Sequence, residues 1–320
     1  MIRYELVGTD MAGVRFAISP LNEVVLSLRS WRDPGRYPVH LPWLKATQTV
    51  RAGLDHDMLL ALTNDDLWTP DFLTPCPGSP LTRMEEELDQ IAGTDTAVVA
   101  ANLRVIHGRG HLPRVLHGPT SRVLSRIVVA LRDYWRTCFV PSWPRMRALL
   151  EGDVTYRGRQ IAQRGLAEMF AGLAPGVSLR DNVVEVHLRS KVDYDRRTAG
   201  GLTLTPTMWT GNVSAPISPA QPAMIMYLAR GTGTLWEAQS MPAPAALSRL
   251  LGGARAGLLA RLATPASSTE LAVHLGVTAT AVNQHLRALR DCGLLVSARH
   301  GRSVLYRRSE LGDQLVEPPG

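Results

Sequence analysis

The sequence predicts an α+β protein of two domains, and three observations predict it. Apolar residues recur at four-residue steps in the first half of the chain, as at Val123, Ile127, Leu131 and Trp135. Beyond about residue 177 they alternate, as at Val184, Val186 and Leu188. The run Met241-Pro-Ala-Pro244 then interrupts all periodicity, as a connector does. Residues 1–240 are thus expected to form a mixed α/β domain, 241–246 a linker, and 247–320 a second, smaller domain.

Composition fits this division. A chain of 320 residues exceeds what one hydrophobic core usually supports, and 45% hydrophobic with 20% charged residues is ordinary globular usage. No apolar run approaches a membrane span: 127–131 stops at Arg132, and 223–229 is as short. Glu5 and Asp10 stand within the first ten residues where a secretion signal would be basic and then apolar, so a cytoplasmic location is expected. Cys76, Cys138 and Cys292 form no CxC or CxxC pair, which fits reduced thiols. The net charge is +7, and 33 of the 35 basic residues are arginine. Residues 245–320 hold nine arginines against five acidic residues, a net +4, so more than half of the excess lies in under a quarter of the chain.

Along the N-terminal region, Ile2–Val7 and Val14–Ile18 read as short strands around a turn at Thr9-Asp10, and Pro20-Leu-Asn-Glu23 opens a helix. Residues 43–62, 82–91 and 120–137 have helical spacing. Pro70, Pro75, Pro77 and Pro80 make 65–80 an extended loop. The alternation at 184–188, 202–204 and 224–228 predicts an antiparallel sheet. Seven tryptophans, among them Trp31, Trp43, Trp68, Trp135 and Trp143, are open to a core role or a pocket-lining one. His107, His111 and His117 are open to a metal role, but Gly108 and Gly110 make a poor helix there, and loop histidines are the simpler reading. Cys138 and Cys292 sit among apolar residues and are expected in the core. No GxSxG, Walker loop, HExxH or dinucleotide fingerprint occurs, and no nucleophile, base and oxyanion group assemble, so no catalytic residue is assigned. No metal site or cofactor is assigned either.

The C-terminal region is more specific. Leu247, Leu250 and Leu251, then Leu258, Leu259 and Leu262, form an apolar face broken near Gly252-Gly253, which predicts two short helices. Ser267-Ser-Thr-Glu270 has the form of a capping box and opens a third helix, which Gly276 ends by a left-handed turn. Thr278 caps a fourth, whose Val282, Leu286 and Leu289 point inward. Two helices joined by a short glycine turn, the second polar on its outer side, make a helix-turn-helix. Gly293 ends it. Residues 294–299 and 303–308 around His300-Gly301-Arg302 then form a β-hairpin.

The outer face of the fourth helix offers Thr280, Asn283, Gln284 and Arg287, side chains that hydrogen-bond base edges, while Thr278 is short enough to sit against phosphate. His285 fits either a DNA contact or the seam between helix and hairpin. The hairpin carries Arg299, His300, Arg302 and Ser303 at its tip and Arg307 and Arg308 in its stem. From Thr278 to Arg308 there are six arginines and one acid, Asp291, the pattern of a surface that meets phosphate.

The run from Thr269 to Leu295, with Gly301-Arg302 and Val304-Leu-Tyr306 after it, resembles the winged-helix domain of ArsR-family bacterial transcriptional regulators over about 75 residues. The resemblance is most specific at His285-Leu286, Leu289, Gly293-Leu294 and the Gly-Arg-x-x-x-Tyr wing. It implies a homodimer on an inverted-repeat operator in double-stranded DNA, mostly acting as a repressor and released by a ligand. The sequence departs from the metal-sensing members, which carry Cys-x-Cys on the helix before the turn or His and acidic ligands near the C-terminus. Here that helix reads Glu270-Leu-Ala-Val-His274, so a small molecule or a partner is the expected signal. Asn283 replaces a serine of the family's recognition helix. The long N-terminal region is similar, at the level of fold, to domains that precede such modules in some actinobacterial regulators. The alternative is an enzyme, or a protein-interaction protein, that uses a winged helix for tethering.

Overall fold

The computed structural model describes residues 1–7, 13–108, 111–198, 200–236, 245–300 and 303–316. It divides into two compact units, Met1–Trp236 and Glu237–Gly320. The expected turn at Thr9-Asp10 and the linker residues 241–244 lie outside the described residues, and Ala245 already begins a helix.

In the N-terminal unit the order is β1 (Ile2–Leu6), β2 (Arg15–Phe16), α1 (Pro20–Arg32), α2 (Leu41–Ala46), α3 (Gln48–Arg51), α4 (His56–Leu60), α5 (Met84–Ala92), α6 (Thr96–His107), α7 (Thr120–Tyr134), α8 (Trp143–Arg164), α9 (Leu166–Ala171), β3 (Val177–Arg180), β4 (Val183–Val186), β5 (Tyr194–Thr198), β6 (Thr203–Thr207), β7 (Val213–Ser214) and β8 (Met224–Leu228). Two four-stranded sheets result, β3-β4-β1-β5 and β2-β6-β8-β7. Ile2, Tyr4, Val184, Val186, Leu204, Ile225 and Tyr227 fill the space between them, with Met169 and Phe170 of α9. The opposite side of β8, at Met224 and Met226, packs into a helical core built on α1, α5 and α7.

The expectation of an antiparallel sheet is corrected. Both sheets are mixed: β1–β5, β2–β6 and β6–β8 run parallel, whereas β1–β4, β3–β4 and β7–β8 run antiparallel. Alternation reports which side chains are buried, not strand direction, and the 16 residues between β6 and β8 are long enough for a crossover.

Helix α1 begins where Ser19 Oγ accepts the Asn22 amide at 3.0 Å and Pro20 presets the first turn. Ten of its thirteen residues are buried, so it is the central helix rather than an amphipathic surface one. The expected helix over 43–62 is three short ones. Thr47 turns its hydroxyl back onto the Trp43 carbonyl (2.8 Å), and Asp55 starts α4 by accepting the Met58 amide (3.2 Å). Helix α7 follows its predicted four-residue pattern and runs into one π-helical turn, Trp135–Phe139. Helix α6 was not anticipated, and His107 is its last residue rather than a loop histidine. Helix α8 was also not anticipated: its buried positions are Met146, Leu150, Asp153 and Arg157, and two charged residues in a four-member stripe erase the apolar period. Asp153 accepts the Tyr227 hydroxyl (2.7 Å) and the Arg230 amide (3.0 Å), while Arg157 Nη1 donates to the Gly172 carbonyl (2.7 Å), so this polar stripe ties α8 to β8 and α9.

Six of the seven tryptophans belong to or pack against the helical core, and Trp68 is half-buried outside it. Trp43 and Trp209 are buried with ring centroids 5.0 Å apart, and Trp31, Trp135, Trp143 and Trp236 pack around them. Cys138 is buried, which pushes its thiol up to about 11. Cys292, expected in the core, is exposed, because it follows the last residue of a helix and precedes the Gly293 turn.

The C-terminal unit contains α10 (Ala245–Leu251), α11 (Gly253–Arg261), β9 (Ala266–Ser267), α12 (Ser268–Leu275), α13 (Ala279–Asp291), β10 (Leu295–His300), β11 (Ser303–Arg308) and α14 (Glu310–Val316). Leu247, Leu258, Leu259, Leu262, Leu271, Val282, Leu286, Leu289, Leu295 and Tyr306 form its core. Leu250, assigned to the inward face from sequence, is 75% exposed; Leu247 and Leu251, four residues apart, carry that face. The hairpin is joined by a third strand that sequence did not reveal, β9, in the order β10-β11-β9.

Candidate nucleic-acid interface

Local chemistry fixes the helix pair. The capping box is complete: Ser267 Oγ accepts the Glu270 amide (3.2 Å), and Glu270 Oε2 accepts the Ser267 amide (2.6 Å). The bond from the Ser267 backbone, foremost, holds the Glu270 carboxyl below its usual range. Gly276 takes the left-handed conformation (φ 66°, ψ 28°) that turns the chain from α12 to α13. Thr278 Oγ1 then caps α13 by accepting the Ala281 amide at 3.3 Å. A hydroxyl that accepts this bond can still donate to a phosphate oxygen.

Around α13, at about 100° per residue, Val282, Leu286 and Leu289 form the buried stripe, and Thr280, Asn283, Gln284 and Arg287 share the opposite arc. Thr280, Gln284 and Arg287 are exposed and Asn283 is half-buried. Asn283, Gln284 and Arg287 make no side-chain hydrogen bond or ion pair with other described residues. His285 is half-buried and lies about 100° around the helix from Gln284, beside the buried stripe and apart from the other four.

In the hairpin, Arg299 pairs with Val304 and His300 with Ser303, while Arg307 pairs with Val296. Directly paired residues share a face, so Arg299 lies on the face of Ser297 and Tyr306, and Arg307 on the opposite one. Arg299, Ser303 and Arg307 are exposed. Gly301, Arg302 and the His300 side chain lie outside the described residues. Arg308 is corrected: it is 9% exposed, with Nε 2.8 Å from Asp313 Oδ1, so α14 neutralises it and it does not face solvent phosphate. Arg290 lies 3.1 Å from Asp291. Arg287, Arg299 and Arg307 have no carboxylate partner among the described residues. Arg307 was not among the DNA-contact residues read from sequence, although its alternation with buried Tyr306 would have placed it outward.

Two of the three histidines raised as metal candidates face backbone carbonyls. His107 Nε2 lies 2.8 Å from the Ala61 carbonyl and His117 Nε2 2.9 Å from that of Leu112. Among the described residues no group of three or more His, Cys, Asp or Glu is placed to hold a metal ion. No helix among them is long and apolar enough to cross a membrane.

Two helices joined by a short glycine turn and a three-stranded sheet ending in a basic hairpin define a winged helix-turn-helix. Residues 258–297 match the family described as bacterial regulatory protein, arsR family, so the C-terminal unit carries an ArsR-type helix-turn-helix. The HTH-type transcriptional regulators CmtR of Mycobacterium tuberculosis and Mycobacterium bovis are 51% identical over 37 residues, which is 12% of this chain and 31% of theirs. The chain therefore spans about a third of the length of the curated relatives it matches. No solved structure matches the chain.

Proposed function

We propose that this chain is a sequence-specific DNA-binding transcriptional regulator, a repressor released by a small-molecule or partner signal. The observation that carries the reading is the outer face of α13, where Asn283, Gln284 and Arg287 make no side-chain hydrogen bond or ion pair with other described residues on a helix fixed by a capped start and a buried stripe. Unsatisfied donors and acceptors of this kind read base edges in a major groove: Asn and Gln pair with adenine, Arg with guanine. Thr278, Thr280 and His285 flank them, and Arg299, His300, Arg302 and Ser303 of the wing bind the adjoining phosphates or minor groove. One recognition helix buries too little surface for tight binding, so the reading takes a homodimer on an inverted repeat with half-sites ~34 Å apart. The N-terminal unit supplies dimer contacts or senses the signal in the cytoplasm. Metal is not the signal in this reading, because α12 presents Glu270-Leu-Ala-Val-His274 where a Cys-x-Cys would stand.

The test is selection from a random duplex pool with the full chain. Enrichment of an inverted repeat with half-sites about 10 base pairs apart is the expected result. A pool that remains random overturns the reading.

A further inference from the structure

Strand β2 is one of the two edge strands of its sheet, and β5 one of the two of the other. Arg15 of β2 and Arg196 of β5 line a common cleft of about 200 Å³. Cys76, Thr203 and Gly201 form further parts of its wall, and Pro222 closes one side. The described residues that line it include two guanidiniums and no carboxylate. Arg15 is exposed and has no side-chain hydrogen bond or ion pair with a described residue. Arg196 has no ion pair among the described residues; its Nη1 donates to the Pro219 carbonyl at 2.7 Å. The rest of its fork is not used by any described residue.

The wall that carries Pro222 is pinned. Tyr194 donates its hydroxyl to the Pro216 carbonyl (2.9 Å), Asp71 accepts the amides of Ile217 and Ser218 (both 2.8 Å), and Arg196 holds Pro219. Each Asp71 carboxylate oxygen thereby takes one backbone amide, and Asp71 is not part of the cleft wall. A rigid cleft that brings two uncompensated like charges together stores repulsion, and an anion between them relieves it. Guanidinium forks match the paired oxygens of phosphate and carboxylate groups. The volume lies below the ~300–1,000 Å³ of sites for drug-sized ligands, so the occupant is small.

We infer that this cleft is a binding site for a small multiply charged oxyanion, of the size of phosphate or a short dicarboxylate, held between Arg15 and Arg196. As the signal input of a regulator the site rests on the function proposed above; as a binding site it does not, and its test uses no DNA. Cys76 reports from inside the cleft, and exposed Cys292 of the other unit is an internal control.

The experiment follows iodoacetamide alkylation of both thiols in the full chain by peptide mass spectrometry, with inorganic phosphate or succinate titrated at low ionic strength. Saturable protection of Cys76, several-fold or more, with Cys292 unchanged is the expected result. Protection by phosphate alone points to a phosphate-bearing ligand, and protection by succinate to a carboxylate. Arg15→Gln removes an exposed side chain with no hydrogen bond or ion pair to a described residue, so the fold is retained, and it is expected to raise the half-protecting concentration about tenfold or more. No protection by either anion overturns the inference. So does equal protection of both thiols, or a titration unchanged in Arg15→Gln.

Discussion

The two units bury polar groups in opposite ways. In the N-terminal unit the central helix takes polar groups into its core: Asn22, Glu23, Ser27 and Ser30 are all buried on α1. Glu23 Oε2 accepts the Met208 amide at 3.2 Å, and burial pushes its carboxyl up to about 8. Glu87 accepts the Leu21 amide at 2.9 Å, closing the start of α1 from α5, and burial raises it to about 7. The C-terminal unit keeps its core almost wholly apolar and sends Thr280, Gln284 and Arg287 outward. The central helix of the first unit uses its polar residues in its own architecture; the outer face of α13 in the second leaves them exposed. A polar residue is therefore informative about binding only once its burial and partners are known.

The sharpest way to break this comparison is to damage the apolar core of the second unit. Leu286→Ala, at a fully buried position of α13, is expected to cost about 2–5 kcal/mol. Calorimetry should show one transition moved down and the other retained; a shift of both by the same amount would mean that the units do not unfold separately. Next comes the outward face. Gln284→Ala is expected to cost about 1–3 kcal/mol in binding the selected duplex and to relax specificity at one base pair, with folding unchanged. Arg299→Ala should instead weaken all sequences alike and flatten the salt slope by about one unit. Fluorescence anisotropy against matched and single-substituted duplexes separates the two, and equal loss on every duplex for Gln284→Ala would remove its base-reading role.

A smaller effect tests the inward polar groups. The folded-state value of Glu23, about 8, lies above its ordinary ~4.3, so the folded chain binds the extra proton and stability falls as pH rises through that window. Glu87 adds to the fall up to about 7, and His40, lowered to about 4 by burial, opposes it only below its ordinary ~6.5. Between pH 7 and 8 Glu23 contributes most of the fall, which lessens as pH passes its folded-state value. Glu23→Gln retains an acceptor for the Met208 amide and should flatten the profile of chemical denaturation there. An unchanged profile would show that Glu23 does not titrate in that range. Last, Ser267→Ala removes the cap of α12 and is expected to cost about 1 kcal/mol in the thermal unfolding of the C-terminal unit.

The same contrast explains what the sequence disclosed. Capping box, glycine turn and i, i+4, i+7 leucines are local signals, and the C-terminal unit is built from them: Ser267, Gly276, Thr278, Val282 and Leu286 all stand as read. What escaped there was non-local. Strand β9 is two residues long and exists only through its pairing with β11, and Arg308 is withdrawn by Asp313 on a helix that follows it. The N-terminal unit is dominated by such features. Its parallel pairs join distant segments, Ile2 with Tyr194 and Thr203 with Met224, and alternation does not encode their direction. Helix α8 hides because Asp153 and Arg157 occupy core positions that a period search scores as surface. The face of α13 was legible because each of its side chains needs only the helix register to be placed, whereas the Arg15–Arg196 cleft required residues 181 positions apart, on strands of two different sheets, to line one cleft.

The most direct measurement of the central claim is the affinity of the full chain for the selected duplex and for a scrambled one, each titrated from ~50 to ~200 mM salt. The account predicts that the selected duplex stays about 10³-fold or more tighter across the range while both affinities fall with salt. Two curves that coincide at every salt concentration would show phosphate attraction without base reading, and would contradict it.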